Sequence, residues 1–78
     1  MSSTIAFTRV GDDEARIHGA DGDYVGDLFR HPDILCPGEY FYVIHLADDP
    51  RGWVRVHERS RIREVAEERI RTHPLWSP

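Results

Sequence analysis

The period of the apolar residues changes once along this chain, and that change limits the possible folds more than any other feature. Ahead of residue 58, five short segments alternate apolar and polar residues or are rich in aromatic and β-branched residues, as β-strands are. These segments are residues 4–10, 15–19, 24–29, 40–47 and 53–57. Beyond them, the i, i+3, i+4, i+8 spacing of one helix face appears at Ile62, Val65, Ala66 and Ile70. The pattern predicts five strands followed by a single helix.

Short turns separate the predicted strands and decide how they pair. Asp21-Gly22 is a strong hairpin signal because both positions tolerate positive φ, and residues 48–52 form a tight turn with a proline and a glycine. Strands joined by such turns run antiparallel. A chain of 78 residues is long enough for one domain. We therefore predict an α+β fold, an antiparallel meander of about five strands with one C-terminal helix packed on one face, and a single domain over residues 1–78.

Single residues predict several local details. Ser60 is expected to be the N-cap of the helix, and His73-Pro74 to end it. Gly26, inside the third strand, indicates a bulge or a close approach of backbone. The loop after the third strand is expected to fold back onto the core with its residues Ile34, Leu35 and Cys36.

The last two strands distribute their side chains over two faces. If Ala47 pairs with Trp53 across the turn, the even-numbered residues of both strands share one face, because side chains alternate along a strand. That face is the more apolar and should carry the helix, and it holds Tyr40, Tyr42, Ile44, Leu46, Val54 and Val56. The odd face holds Phe41, Val43, His45, Trp53, Arg55 and His57. One helix leaves the second face uncovered, so the odd face is either a binding surface or a half-hydrated face whose rings pack on one another.

No group of residues matches a catalytic or metal-binding pattern. Cys36 is the single cysteine and lacks the local signature of a nucleophile. The five histidines, at positions 18, 31, 45, 57 and 73, lack the short spacing of metal ligands. We therefore expect no enzymatic activity, no catalytic residue, no metal and no cofactor. The lone thiol, and the lack of an apolar leader or a membrane-length segment, predict a cytoplasmic protein without membrane contact.

Charge is distributed unevenly along the chain, whose formal net charge is −4. Residues 1–50 carry three arginines and ten acids, a net charge of −7, and residues 51–78 carry seven arginines and four acids, a net charge of +3. The acids concentrate in the turns at both ends of the predicted sheet. There they either attract a basic partner or only serve the turns, which favour Asp. The candidate partner-binding residues are Asp12, Asp13, Glu14, Asp21, Asp23, Asp48, Asp49, Phe41 and Trp53.

In size, acidity and lack of an enzyme signature, the chain resembles the anti-CRISPR proteins of phages and other mobile elements, particularly those directed against type I surveillance complexes. The resemblance covers the general character of the whole chain, because that class shares no diagnostic motif. It implies a non-enzymatic inhibitor that binds a protein. Its acidic turns would engage a basic nucleic-acid-binding surface and block the binding of target DNA.

Two other functions stay open. A small plasmid or phage nucleic-acid-binding or regulatory protein would use the arginine-rich C-terminal helix. The glutamates among those arginines favour a salt-bridged solvent face instead and weigh against direct nucleic-acid binding. A subunit or toxin-neutralising partner would use the open sheet face to complete a larger assembly. The chain itself is expected to be a monomer or a weak homodimer.

Overall fold

The computed structural model describes residues 5–76, and the predicted meander is present within them. Five strands form one sheet in the order β1-β2-β3-β4-β5, and every neighbouring pair is antiparallel. The strands are β1 (Ala6–Gly11), β2 (Glu14–His18), β3 (Tyr24–Pro32), β4 (Tyr40–Leu46) and β5 (Val54–Val56). A 3-10 turn over Arg59–Arg61 leads into the helix α1 (Ile62–Arg71). The α+β prediction is confirmed, and residue 4, where the first strand was predicted to begin, lies outside the described residues.

The hairpin of β4 and β5 pairs two residues away from the predicted register. Ile44 lies opposite Val54, whereas the prediction paired Ala47 with Trp53. The difference arises in the turn, where successive backbone hydrogen bonds close residues 46–52 into two tight turns and end the pairing earlier. Since a displacement by two residues preserves the alternation of side chains, the even and odd residues keep their predicted faces.

The core lies between the apolar stripe of α1 and the face of the sheet that holds the even-numbered residues of β4 and β5. Its buried residues are Ile5, Ile17, Ile44, Leu46, Val56, Ile62 and Ala66. The prediction that the even face carries the helix is therefore confirmed. Burial of a larger aliphatic side chain contributes roughly 1.5–3 kcal/mol, and a ten-residue helix depends on such packing because it is marginal in isolation.

Gly26 shows both features that its position predicted. The pairing of β2 with β3 shifts register between Ile17 and His18, beside Gly26, as a bulge does. A Cβ atom on Gly26 would lie 2.5 Å from the carbonyl oxygen of His45 and 2.9 Å from Cα of Leu46. Glycine therefore lets the backbone of β4 approach β3 more closely than any other residue would allow.

The start of the helix differs from the prediction, and its end agrees closely. Ser60 lies inside the 3-10 turn, while the N-cap of α1 is Arg61, which makes no side-chain capping hydrogen bond. The prediction of Ser60 as N-cap is therefore wrong. The backbone N–H of Arg61 instead donates to the carbonyl of Glu58 at 2.9 Å and closes the 3-10 turn. At the other end α1 stops at Arg71, two residues before His73-Pro74.

The loop between β3 and β4 does not fold back onto the core. Ile34 is 89% exposed and Leu35 is 87% exposed, and Cys36 is exposed as well. The loop closes on itself, because the N–H of Asp33 donates to the carbonyl of Glu39 at 2.9 Å and the N–H of Leu35 donates to the Asp33 carboxylate at 3.0 Å. This compact turn at the tip of the longest hairpin holds its apolar side chains away from α1, so the expectation of burial was wrong.

Candidate binding surfaces

The face of the sheet that holds the odd-numbered residues of β3, β4 and β5 and the even-numbered residues of β2, here called the uncovered face, lies opposite α1. It carries side chains in three rows across the strands. The pairing of the strands places the members of each row side by side, and ring contacts extend two of the rows to the residues that flank β5. The central row is Glu14, Phe29, Val43 and Arg55. The second row is Arg16, Asp27, His45 and Trp53. The third row is His31, Phe41 and His57.

Rings on the uncovered face contact one another in a continuous cluster. The ring centroids of Phe29 and Trp53 are 5.5 Å apart, and those of His45 and Trp53 are 4.8 Å apart. Phe41 stacks with His31 at 5.5 Å, and the Arg55 guanidinium lies 4.2 Å from the centroid of the Phe41 ring. Trp53 nevertheless stays 59% exposed. The rings thus pack on one another and also present apolar surface to solvent, the combination that favours interfaces.

The first acidic end of the sheet is formed by the β1–β2 turn and the β3–β4 loop. Asp12, Asp13 and Glu14 are all exposed there. Arg30 pairs with Asp13 at 2.7 Å, and its pKa is raised mainly by the hydrogen bond that it donates to this carboxylate. Arg9 approaches Asp12 only to 3.6 Å, and both side chains are largely exposed. This end is therefore acidic, with Asp13 the most neutralised of its carboxylates.

The second acidic end is formed by the β2–β3 and β4–β5 turns, and it is weaker than predicted. Asp21 accepts a hydrogen bond from the N–H of Asp23 at 3.2 Å, and both residues are exposed. Asp48 is exposed and has a φ of 57°, a conformation that Asp tolerates better than most residues. Asp49, however, is only 7% exposed. Its carboxylate faces inward, so the expectation that this turn exposes Asp49 is wrong.

Asp49 joins the β4–β5 turn to the end of α1. Its carboxylate accepts hydrogen bonds from the backbone N–H and the guanidinium of Arg51 at 2.9–3.0 Å, and Arg69 approaches it to 3.5 Å. Arg51 also donates to Thr72 Oγ1 and to the carbonyl of Arg69, both at 2.8 Å. The hydrogen bonds from Arg51 are the main cause that lowers the pKa of Asp49 to about 2. Asp49 thus has a structural role, because it holds the β4–β5 turn against the end of α1.

His73 forms a second link between the same two elements. Its side chain is fully buried, Nε2 lies 3.0 Å from the carbonyl oxygen of Ala47, and Nδ1 accepts the N–H of Leu75 at 3.1 Å. This pattern requires the neutral ring with its proton on Nε2. Trp76 stacks on the imidazole at 3.7 Å. The sequence analysis did not predict these roles of His73, Asp49 and Arg51. The one local signal for them was the Asp-Pro-Arg sequence of the β4–β5 turn.

Several arginines of the C-terminal segment are engaged within the protein. Arg63 donates to the carbonyl of Ile5 at 2.7 Å and lies over the ring of Phe7. Arg69 donates to the carbonyl of Gly52 at 2.9 Å, and Arg61 approaches Glu64 to 3.7 Å. These contacts weigh against a helix face whose arginines bind the phosphates of a nucleic acid.

A shallow cleft of about 300 Å³ opens where α1 leaves the sheet near the first acidic end. Its lining includes Phe7, Leu28, Tyr42, Arg30 and Arg59, together with Asp12, Asp13 and Glu14. Within residues 5–76, no three His, Cys, Asp or Glu side chains are grouped to hold a metal ion. Over the same residues, no helix combines the length and apolarity needed to span a membrane.

Comparison with protein-family models, with curated protein sequences and with solved structures finds no match to this chain.

Proposed function

We propose that the protein is a non-enzymatic inhibitor that binds the basic nucleic-acid-binding surface of another protein, in the leading case a type I CRISPR surveillance complex, and blocks target DNA. The observation that carries the proposal is the display of exposed carboxylates at both ends of one small sheet. The exposed acids at the first end are Asp12, Asp13, Glu14 and Glu39, and those at the second are Asp21, Asp23 and Asp48.

Internal pairing of the cations strengthens this display. Arg51 and Arg69 turn toward the buried Asp49 and toward backbone carbonyls, so they do little to neutralise the exposed turns. Carboxylates that remain exposed and poorly paired attract a basic surface over distances comparable to the Debye length, about 8 Å at physiological salt. Asp49 is buried at the second end, and Arg9 and Arg30 partly neutralise Asp12 and Asp13 at the first, so both ends contribute to this attraction.

The test uses a purified type I surveillance complex and a fluorescently labelled duplex that contains its target. We expect the protein to release the duplex at near-stoichiometric concentration, and the inhibition to weaken as salt rises. Asp12→Lys/Glu39→Lys should raise the half-inhibitory concentration at least about tenfold, because four units of charge change at the first acidic end. The matched control is Glu64→Lys/Glu68→Lys, which makes the same change of charge at exposed positions of α1.

Three results would count against the proposal. If the complex binds its target DNA equally well with and without the protein, a type I surveillance complex is not the target. Equal effects of the two double reversals show that net charge alone matters and that the first acidic end is not a site. Loss of inhibition in Phe41→Ala or Trp53→Ala, without an effect of Asp12→Lys/Glu39→Lys, assigns recognition to the uncovered face. A gel shift of labelled DNA or RNA by the isolated protein at physiological salt would favour the nucleic-acid-binding alternative.

A further inference from the structure

We infer that the uncovered face binds a second copy of this chain, face to face, about a two-fold axis that runs parallel to the strands between β3 and β4. The inference does not depend on the proposed function. It rests on the pattern of charge and rings across the three rows of the uncovered face, which is complementary to itself under this one symmetry operation.

A two-fold axis in this position brings the β3 column of one copy over the β4 column of the other, and the β2 column over the β5 column. Each row then faces the same row of the second copy in reverse order. Every charged residue of these columns meets an opposite charge, an imidazole or an aromatic ring. The facing pairs are Arg55 with Glu14, Asp27 with His45, Trp53 with Arg16, Phe29 with Val43 and His31 with Phe41.

The free charges on the uncovered face support this pairing. Neither Arg16 nor Arg55 has a carboxylate within 4 Å among residues 5–76. Glu14 is exposed and likewise makes no ion pair within that part of the chain. Within one copy Arg55 and Glu14 stand three strands apart, about 14 Å at the usual strand spacing. A second copy therefore supplies the counter-charge that the single chain lacks.

A two-fold axis perpendicular to the strands that crosses them at the central row gives the opposite result. It places each strand over the same strand of the second copy, so Arg55 would face Arg55 and Glu14 would face Glu14 across the central row. Like charges that oppose each other at an interface are costly. Electrostatics thus favours the axis parallel to the strands over this perpendicular one.

Sheet geometry allows the selected arrangement. Packed sheets lie about 10 Å apart and rotate by about 30° relative to each other. The outer columns stand about 7 Å from the axis, so this rotation displaces facing residues there by about 3.6 Å. Long side chains such as those of Arg55 and Glu14 span that offset.

The size of the uncovered face sets the expected affinity. In this arrangement β2 to β5 face their counterparts, and four strands spaced about 4.8 Å apart and about six residues long cover roughly 380 Å² in projection. Side chains increase the accessible area above this footprint, yet it stays near or below the standard 800 Å² for each partner. An interface of this size is at the low end of stable ones, and we expect a weak dimer with a dissociation constant on the order of 10 µM. Apart from Glu14, which belongs to the central row, the acids of both ends lie outside the rows, so the dimer would present them twice.

The test is sedimentation equilibrium of the full chain from about 1 µM to about 1 mM at neutral pH. We expect the mass to rise from 9.1 kDa to twice that value. Arg55→Glu and Glu14→Arg should each raise the dissociation constant at least about tenfold, because two attractive pairs become two repulsive ones. An equimolar mixture of the two variants restores both Glu–Arg pairs and should return the constant to within about threefold of the wild type.

The control is Arg59→Glu, which makes the same change of charge on an exposed residue of the 3-10 turn, outside the three rows. It should leave the dissociation constant unchanged. A wild-type chain that stays at 9.1 kDa throughout overturns the inference and leaves the uncovered face to another partner. Dimers that form as readily in both single variants, or single variants that stay monomeric when mixed, also overturn it, because the facing pairs would then be wrong.

Discussion

Asp49→Asn tests whether the buried carboxylate holds the β4–β5 turn to the helix. The substitution keeps the size of the side chain and removes its charge. The Asp49 side chain has no exposed area and accepts three hydrogen bonds from Arg51. Its pKa falls from 3.8 to about 2, which corresponds to about 2 kcal/mol of stabilisation of the folded state at neutral pH.

That loss is large for a domain of this size. A chain of 78 residues has a total free energy of unfolding of about 4–12 kcal/mol. Urea unfolding of Asp49→Asn, followed by circular dichroism at pH 7, should show a lower midpoint and an unchanged slope, and the melting temperature should fall by about 8–16 °C. The matched control is Asp48→Asn, since Asp48 is exposed and Asn tolerates its positive φ. That variant should stay within about 0.5 kcal/mol of the wild type.

The pH dependence of the same pair gives a second measurement. Because the pKa of Asp49 is lower in the folded protein, its contribution is complete above the ordinary pKa of 3.8 and is lost as pH falls toward about 2. The gap in unfolding free energy between the wild type and Asp49→Asn should shrink from about 2 kcal/mol at pH 6 toward zero near pH 2. A gap that does not change with pH, or an Asp49→Asn variant as stable as Asp48→Asn, would refute the reasoning.

Three further substitutions test other parts of the fold by the same urea assay. Gly26→Ala should lower the free energy of unfolding by more than about 2 kcal/mol, because its Cβ would meet the backbone of β4 at 2.5 Å. The control is Gly11→Ala, whose Cβ would have 3.9 Å of clearance. Equal losses in the two variants would contradict the close approach of β4 to Gly26. Ile34→Ser/Leu35→Ser should change stability by less than about 0.5 kcal/mol, whereas a loss of several kcal/mol would mean that these side chains are buried. Ser60→Ala should also leave the free energy of unfolding nearly unchanged. A loss of about 1 kcal/mol would indicate that Ser60 caps the helix.

The faces of the sheet could be predicted from the sequence because their signal is local. Alternation in the segment from Tyr40 to Leu46 separates the core residue Ile44 from its neighbours on the uncovered face. The register error of two residues did no harm, since the period of a strand is also two. A shift by one would have exchanged the two faces and moved Trp53 onto the helix side.

The burial and contacts of individual polar and apolar side chains could not be predicted from such local patterns. Ile34 and Leu35 have the composition of core residues, but a self-closing turn holds them in solvent. Asp49 has the composition of a surface turn, but it is buried because Arg51 and Arg69 surround it. Both errors arise from contacts or geometry that hydrophobicity along the chain does not record.

The sequence by itself determined the number and order of the strands, the single helix and the face on which that helix packs. Each of these depends on residues within a few positions of one another, where alternation, turn chemistry and helical spacing act directly. Only the tertiary structure decided that Asp49 is buried and Asp48 is exposed, and that Glu14, Phe29, Val43 and Arg55 form one row. Residues from distant segments become neighbours only when the chain has folded, and the electrostatics of a surface depends on those neighbours.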